Sequence, residues 1–151
     1  MNEVLVSNRQ TKFRIDARLT REVARLTCLC LKVEHYHLSI AFLSPAAMAS
    51  ANLQFLSHPG PTDVITFSLG NVGAEGELLI CPGVAQTQSE EFGTSLASEL
   101  ARYIIHGILH LLGYDDLESR NRKIMKSKEN LLVKKIEQSL KLNSLVRLNN
   151  G

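Results

Sequence analysis

The sequence predicts an α+β domain, a mixed sheet of about four strands with helices packed against it, built by residues 1–151 as a single unit. Three observations carry this. Short runs that are alternating or rich in β-branched and apolar residues occur at 4–6, 37–43, 64–67 and 77–81, most of them flanked by Gly, Pro or Asn. Longer segments between and after them repeat their apolar residues every three or four positions. No repeat, low-complexity stretch or linker divides the chain, and 151 residues suffice for one core.

Taken in order, Val4, Leu5 and Val6 mark a first strand over residues 3–7. From Asp16 to about Val33, Leu19, Val23, Leu26, Leu29 or Cys30, and Val33 recur at helical spacing, with Asp16 as the N-cap. Residues 37–43 (HLSIAFL) alternate and read as a strand. Pro45 suits the first turn of a short alanine-rich helix. Residues 55–63 (FLSHPGPTD) are predicted as a loop. The β-branched and aromatic run 64–67 is a strand, and after a Gly/Asn loop another covers 77–81, stopped by Pro82. One helix is expected from about Thr87 to Leu112 and a last one from near Leu117 to about Leu142, with a frayed tail over 143–151. The expected order is β-α-β-α-β-β-α-α.

Composition bounds the function. Hydrophobic content of 44% and charged content of 21% fit a soluble globular protein. No apolar run is long enough to span a bilayer, so no membrane role is expected. The N-terminus MNEVLVSNRQ lacks the features of a secretory signal, which makes the cytoplasm the expected location. Cys28, Cys30 and Cys81 are an odd set that argues against a disulfide framework, and Cys28 and Cys30 read as buried small hydrophobes rather than a Cys-x-Cys metal clip. The net charge of +2 hides an uneven pattern. Residues 9–32 carry seven basic side chains against two acidic, and residues 117–151 nine against three. The middle, 33–116, carries one basic against nine acidic. Two basic helices flanking an acidic middle are either solvated faces or a frame for a polyanion over a cation-binding cleft.

The segment 106–116, HGILHLLGYDD, carries the chemistry. His106 and His110 lie four apart and so share one face of a helix, the spacing at which two imidazoles grip one ion. Leu96, Leu100, Ile104, Ile108 and Leu111 give that helix an apolar stripe and make it a core element. Gly113 offers a helix stop, after which the chain can return Asp115 or Asp116 as a third ligand. Two histidines and a carboxylate leave a position open, as catalytic sites require. The spacing matches the HExxHxxGxxH proteases, but Gly107 replaces their general-base glutamate, so peptide hydrolysis by that route is not expected.

Three blocks in this order resemble the YbeY family, bacterial metal-dependent endoribonucleases. They are Asn52-Leu-Gln-Phe55 followed by Pro61-Thr-Asp-Val-Ile-Thr-Phe67, then Gly76-Glu-Leu-Leu-Ile-Cys81, then His106 to Asp116. The resemblance implies a zinc site on His106, His110 and residue 116, single-stranded RNA as substrate, and a role in 16S rRNA 3′-end maturation and ribosome quality control, with small-subunit proteins as partners. Two departures matter. The family's third histidine is Asp116 here, a harder ligand that admits manganese or magnesium. Asp115 is then a rival ligand or a support for a histidine or the turn. The family's arginine after the aromatic is Leu56, with His58 two residues on, which raises the alternative of a non-cleaving, metal-bearing RNA-binding assembly factor. No side chain is assigned as general base; Asp63 is read as a turn cap or a support for the metal shell. Candidate RNA contacts are Arg21 and Arg25 on the first helix and Arg120, Arg122 and Lys123 on the last, with Arg9, Arg14 and Lys126 beside them. Phe55 and Tyr114 are the nearest aromatics for base stacking.

Overall fold

Strands β1 (Glu3–Arg9), β3 (Tyr36–Leu43) and β5 (Ala74–Ile80) run parallel, and β4 (Val64–Ser68) is antiparallel to β5, giving one sheet in the order β1-β3-β5-β4. This computed structural model describes residues 2–58, 60, 62–70 and 73–149. Pro59 and Pro61 of the predicted loop, Asn71 of the Gly/Asn loop, and the last two residues of the tail lie outside them.

The period of two along the strands sorts side chains to two faces. Leu38, Ile40 and Phe42 of β3 and Leu78 and Ile80 of β5 join the larger core. Ala41, Leu43, Leu79 and Ile65 point the other way, to Met48 and Ala51 of α2 (Pro45–Leu56). The larger core is closed by α1 (Ala17–Cys30), α4 (Leu96–Leu111) and α5 (Ser119–Ser139), with α3 (Pro82–Phe92) packed along α4. Helix α4 sits at the centre, against β4 and β5 on one side and α1, α3 and α5 around it. It lies so close to β5 that a Cβ on Gly107 would stand 2.6 Å from Leu78 Cδ2. A larger residue at 107 would force the buried Leu78 side chain or α4 itself to shift.

The mixed sheet of four strands is as expected, and four local expectations are corrected. The helix predicted from Thr87 to Leu112 is two helices. Gly93, at φ +67, caps α3, and Ser95 Oγ accepts from Ser98 N–H (3.0 Å) to start α4. The segment at the N-terminal side of the predicted loop is helical to Leu56. The tail is not frayed over 143–149. After a 3-10 turn (Leu142–Ser144), β6 (Val146–Leu148) pairs antiparallel with β2 (Phe13–Ile15), and Leu145 and Val146 enter the core. Of the cysteines, Cys28 and Cys81 are buried but Cys30 is exposed.

Candidate metal centre

The last turn of α4 and the turn after it bring His106, His110 and Asp116 together, each offering a ligand atom within 4.8 Å of the others. The local sequence explains how. Helix α4 ends in a Schellman motif: Gly113, at φ +98, donates to the His110 carbonyl (3.0 Å), and Tyr114 donates to that of Leu109 (3.1 Å). A side chain at 113 would strain this left-handed residue. The chain reverses there, and Asp115 fixes the exit. One of its oxygens accepts from Leu117 N–H (3.2 Å) and the other from the Asn121 amide (3.3 Å). Asp116 is thereby free to face the histidines, with Oδ2 3.8 Å from His110 Nε2.

The two Nε2 atoms lie 3.0 Å apart. His106 Nδ1 lies 2.7 Å from Glu129 Oε1, on α5. Burial alone would raise the Glu129 pKa, but hydrogen bonds from His106, Arg102 and Lys126 outweigh it and hold the carboxyl at about 2. An ionised carboxylate only accepts, so His106 carries a proton on Nδ1 and turns Nε2 toward His110. A hydrogen bond to the Tyr114 backbone holds His110, whose pKa is lowered by burial and by His106. The result is two imidazoles with ring nitrogens close together and a carboxylate beside them. Such a donor set fits a divalent cation.

Beside the trio lies a cleft of about 420 Å³ lined by His106, Asp116 and residues of α3, α4 and α5. Asp63 lines it from the start of β4, where its Oδ1 caps the turn by accepting from Val64 N–H (2.7 Å). Tyr103 also lines it, its hydroxyl bonded to Gln88; burial first, then the nearby Asp63, Glu99 and Cys81, push the phenol pKa up.

Residues 5–137 match the family model described as Endoribonuclease YbeY. The chain belongs to the YbeY family. Relatives named Endoribonuclease YbeY include one from Finegoldia magna, 31% identical over 142 residues, covering 88% of this chain and 93% of the relative. One from Pelotomaculum thermopropionicum is 38% identical over 139 residues, covering 83% and 91%. The solution structure of TM1509 from Thermotoga maritima aligns with a TM-score of 0.70 at 27% identity, over 93% of each chain.

On this YbeY scaffold the basic residues part company. Arg122 lines the cleft. Arg120 and Lys123 are exposed on the same helix outside the lining, and Arg21 and Arg25 are exposed on α1, Arg25 paired with Glu22 (2.7 Å). Leu56 ends α2, 47% exposed and outside the lining, and His58 is exposed beyond it. Phe55 packs edge-on against Phe67. Two participants escape the sequence reading. Glu129, its side chain 4% exposed, braces His106. Arg102 holds Glu129 (2.6 Å) and Asn130 (2.7 Å). One signal was present: Arg102 is the lone basic residue of the acidic middle.

Proposed function

We propose that this YbeY protein is a metal-dependent endoribonuclease that cuts single-stranded RNA, acting in 16S rRNA 3′-end maturation and ribosome quality control in the cytoplasm. The observation that supports this most is the convergence of His106, His110 and Asp116 at a cleft also lined by Arg102, Arg122 and Lys126. A divalent ion there supplies Lewis acidity toward a phosphoryl oxygen and a more acidic water. His106, His110 and Asp116 would hold it. Zinc suits the two imidazoles, and Asp116 admits manganese or magnesium. Glu129 keeps the His106 proton on Nδ1. Asp115 serves the turn and not the ion. The cationic side chains favour the phosphodiester backbone over base edges, which suits an enzyme with little sequence readout and ribosomal RNA as its partner, alongside small-subunit proteins.

A second reading, a non-cleaving RNA-binding assembly factor, is favoured by one observation: Leu56, an apolar side chain, lies outside the cleft. Metal content and cleavage of a single-stranded RNA, measured on wild type, His110→Ala and Asp116→Ala, separate the two. Wild type is expected to hold about one ion per chain and to cut. Both variants are expected to lose ion and cleavage together. Metal and RNA binding without cleavage would establish the second reading. An Asp116→Ala variant that keeps its ion would remove Asp116 from the ligand set.

A further inference from the structure

Among the described residues, three cationic side chains, Arg102, Arg122 and Lys126, line the cleft, and they are not equivalent. Arg102 is committed: Nη1 contacts Glu129 Oε2 at 2.6 Å and Asn130 Oδ1 at 2.7 Å, and Nε lies 4.0 Å from Glu99. Lys126 contacts the same Glu129 oxygen at 3.1 Å. Arg122 has no ion pair and no side-chain hydrogen bond among the described residues. It stands in the first turn of α5, one helical turn before Lys126, and lines the same cleft as His106 and Asp116. A guanidinium kept clear of carboxylates beside a candidate metal site retains all its donors for an incoming anion. Its planar fork matches two oxygens of a phosphate.

Resting on the nuclease reading above, we propose that Arg122 is a catalytic residue that binds the phosphodiester undergoing cleavage and stabilises the charge that develops on its non-bridging oxygens. Glu129 makes this possible by drawing the two neighbouring cations to itself. The end of α2 offers no such group, because Leu56 is apolar and outside the lining. The oxyanion charge is therefore met from α5. The step is ordinary phosphodiester hydrolysis or transfer: a P–O bond forms to the oxygen of a water or 2′-hydroxyl, which gives its proton to solvent, the P–O bond to the leaving oxygen breaks and that oxygen takes a proton from solvent, and Arg122 neither gains nor loses a proton.

The test compares Arg122→Ala and Arg122→Lys with Lys135→Ala, an exposed cation of the same helix outside the cleft. Metal content, cleavage of a single-stranded RNA, and affinity for a 2′-deoxy oligonucleotide of the same sequence are read on each. Arg122→Ala is expected to keep its metal and to lose about 100-fold in kcat, the cost of removing one donor to a developing oxyanion. Added guanidinium is expected to restore part of that loss, which a merely structural role would not allow. Arg122→Lys is expected to fall between, and Lys135→Ala to stay within about 3-fold. If Arg122→Ala behaves like Lys135→Ala in both cleavage and oligonucleotide affinity, the proposal is overturned while the nuclease reading stands. If wild type cuts nothing, the nuclease reading and the catalytic role both fail. Loss of oligonucleotide affinity in Arg122→Ala alone would then leave Arg122 as a phosphate-binding residue only.

Discussion

Glu129 is the residue on which the candidate centre turns. It lies 23 positions from His106, on another helix, and its carboxylate sets which His106 nitrogen faces His110. Replacing a group that orients a metal-bound histidine typically costs 10- to 100-fold in metal affinity. Glu129→Ala is expected to show such a loss in a chelator competition, while Glu129→Gln, which keeps an acceptor oxygen, loses less. Equal losses would mean that the charge, and not the orientation, matters. The cysteines offer a second check. Burial pushes the Cys28 thiol up to about 12, and Cys81 is raised for the same first reason. Only Cys30 is exposed, so a thiol reagent at neutral pH is expected to label one cysteine in the native protein and three after unfolding. At this scale the sequence was informative where the chemistry is local. His106 and His110 are one turn apart, and a glycine stop follows them. Glu129 was hidden because only the docking of α5 on α4 brings it near.

Elements tell a similar story. The strands of the main sheet were legible because each carries β-branched or alternating residues of its own. Strand β6 was not, since three residues hold a strand conformation only when paired, here with β2. The break between α3 and α4 was written in Gly93 and Ser95, but the apolar spacing runs on across it and conceals it. The tail's contribution is measurable. Leu145 is fully buried in the larger core, so Leu145→Ala is expected to cost about 2–5 kcal/mol in a urea titration. A change under about 0.5 kcal/mol would show that the tail only lies on the surface. At the other end of α4, Gly113→Ala would force a Cβ into left-handed backbone at about 1–2 kcal/mol. Because this turn aims Asp116, metal affinity is expected to fall with stability.

For the molecule as a whole, acid is the informative perturbant. In the metal-free protein the Glu129 carboxyl sits at about 2 against an ordinary 4.5. A depressed carboxylate stabilises the fold fully above about pH 4.5, and that contribution disappears as pH falls toward 2. At about 1.4 kcal/mol per pH unit of difference, it amounts to a few kcal/mol at most. Denaturation midpoints measured across that window are expected to fall more steeply for wild type than for Glu129→Gln; parallel curves would show that another carboxylate governs acid unfolding. The contact between Glu129 and His106 also has a thermodynamic face. Glu129 orients His106 only while α5 lies against α4, so an ion bound at the centre and helix docking would be linked, and each would strengthen the other by the same factor. Occupancy of the centre thus becomes a gauge of how firmly the last helix is seated. Stripping the ion should speed hydrogen exchange along α5 first, and loosening a buried α5 residue such as Leu132 or Ile136 should release the ion without touching a ligand.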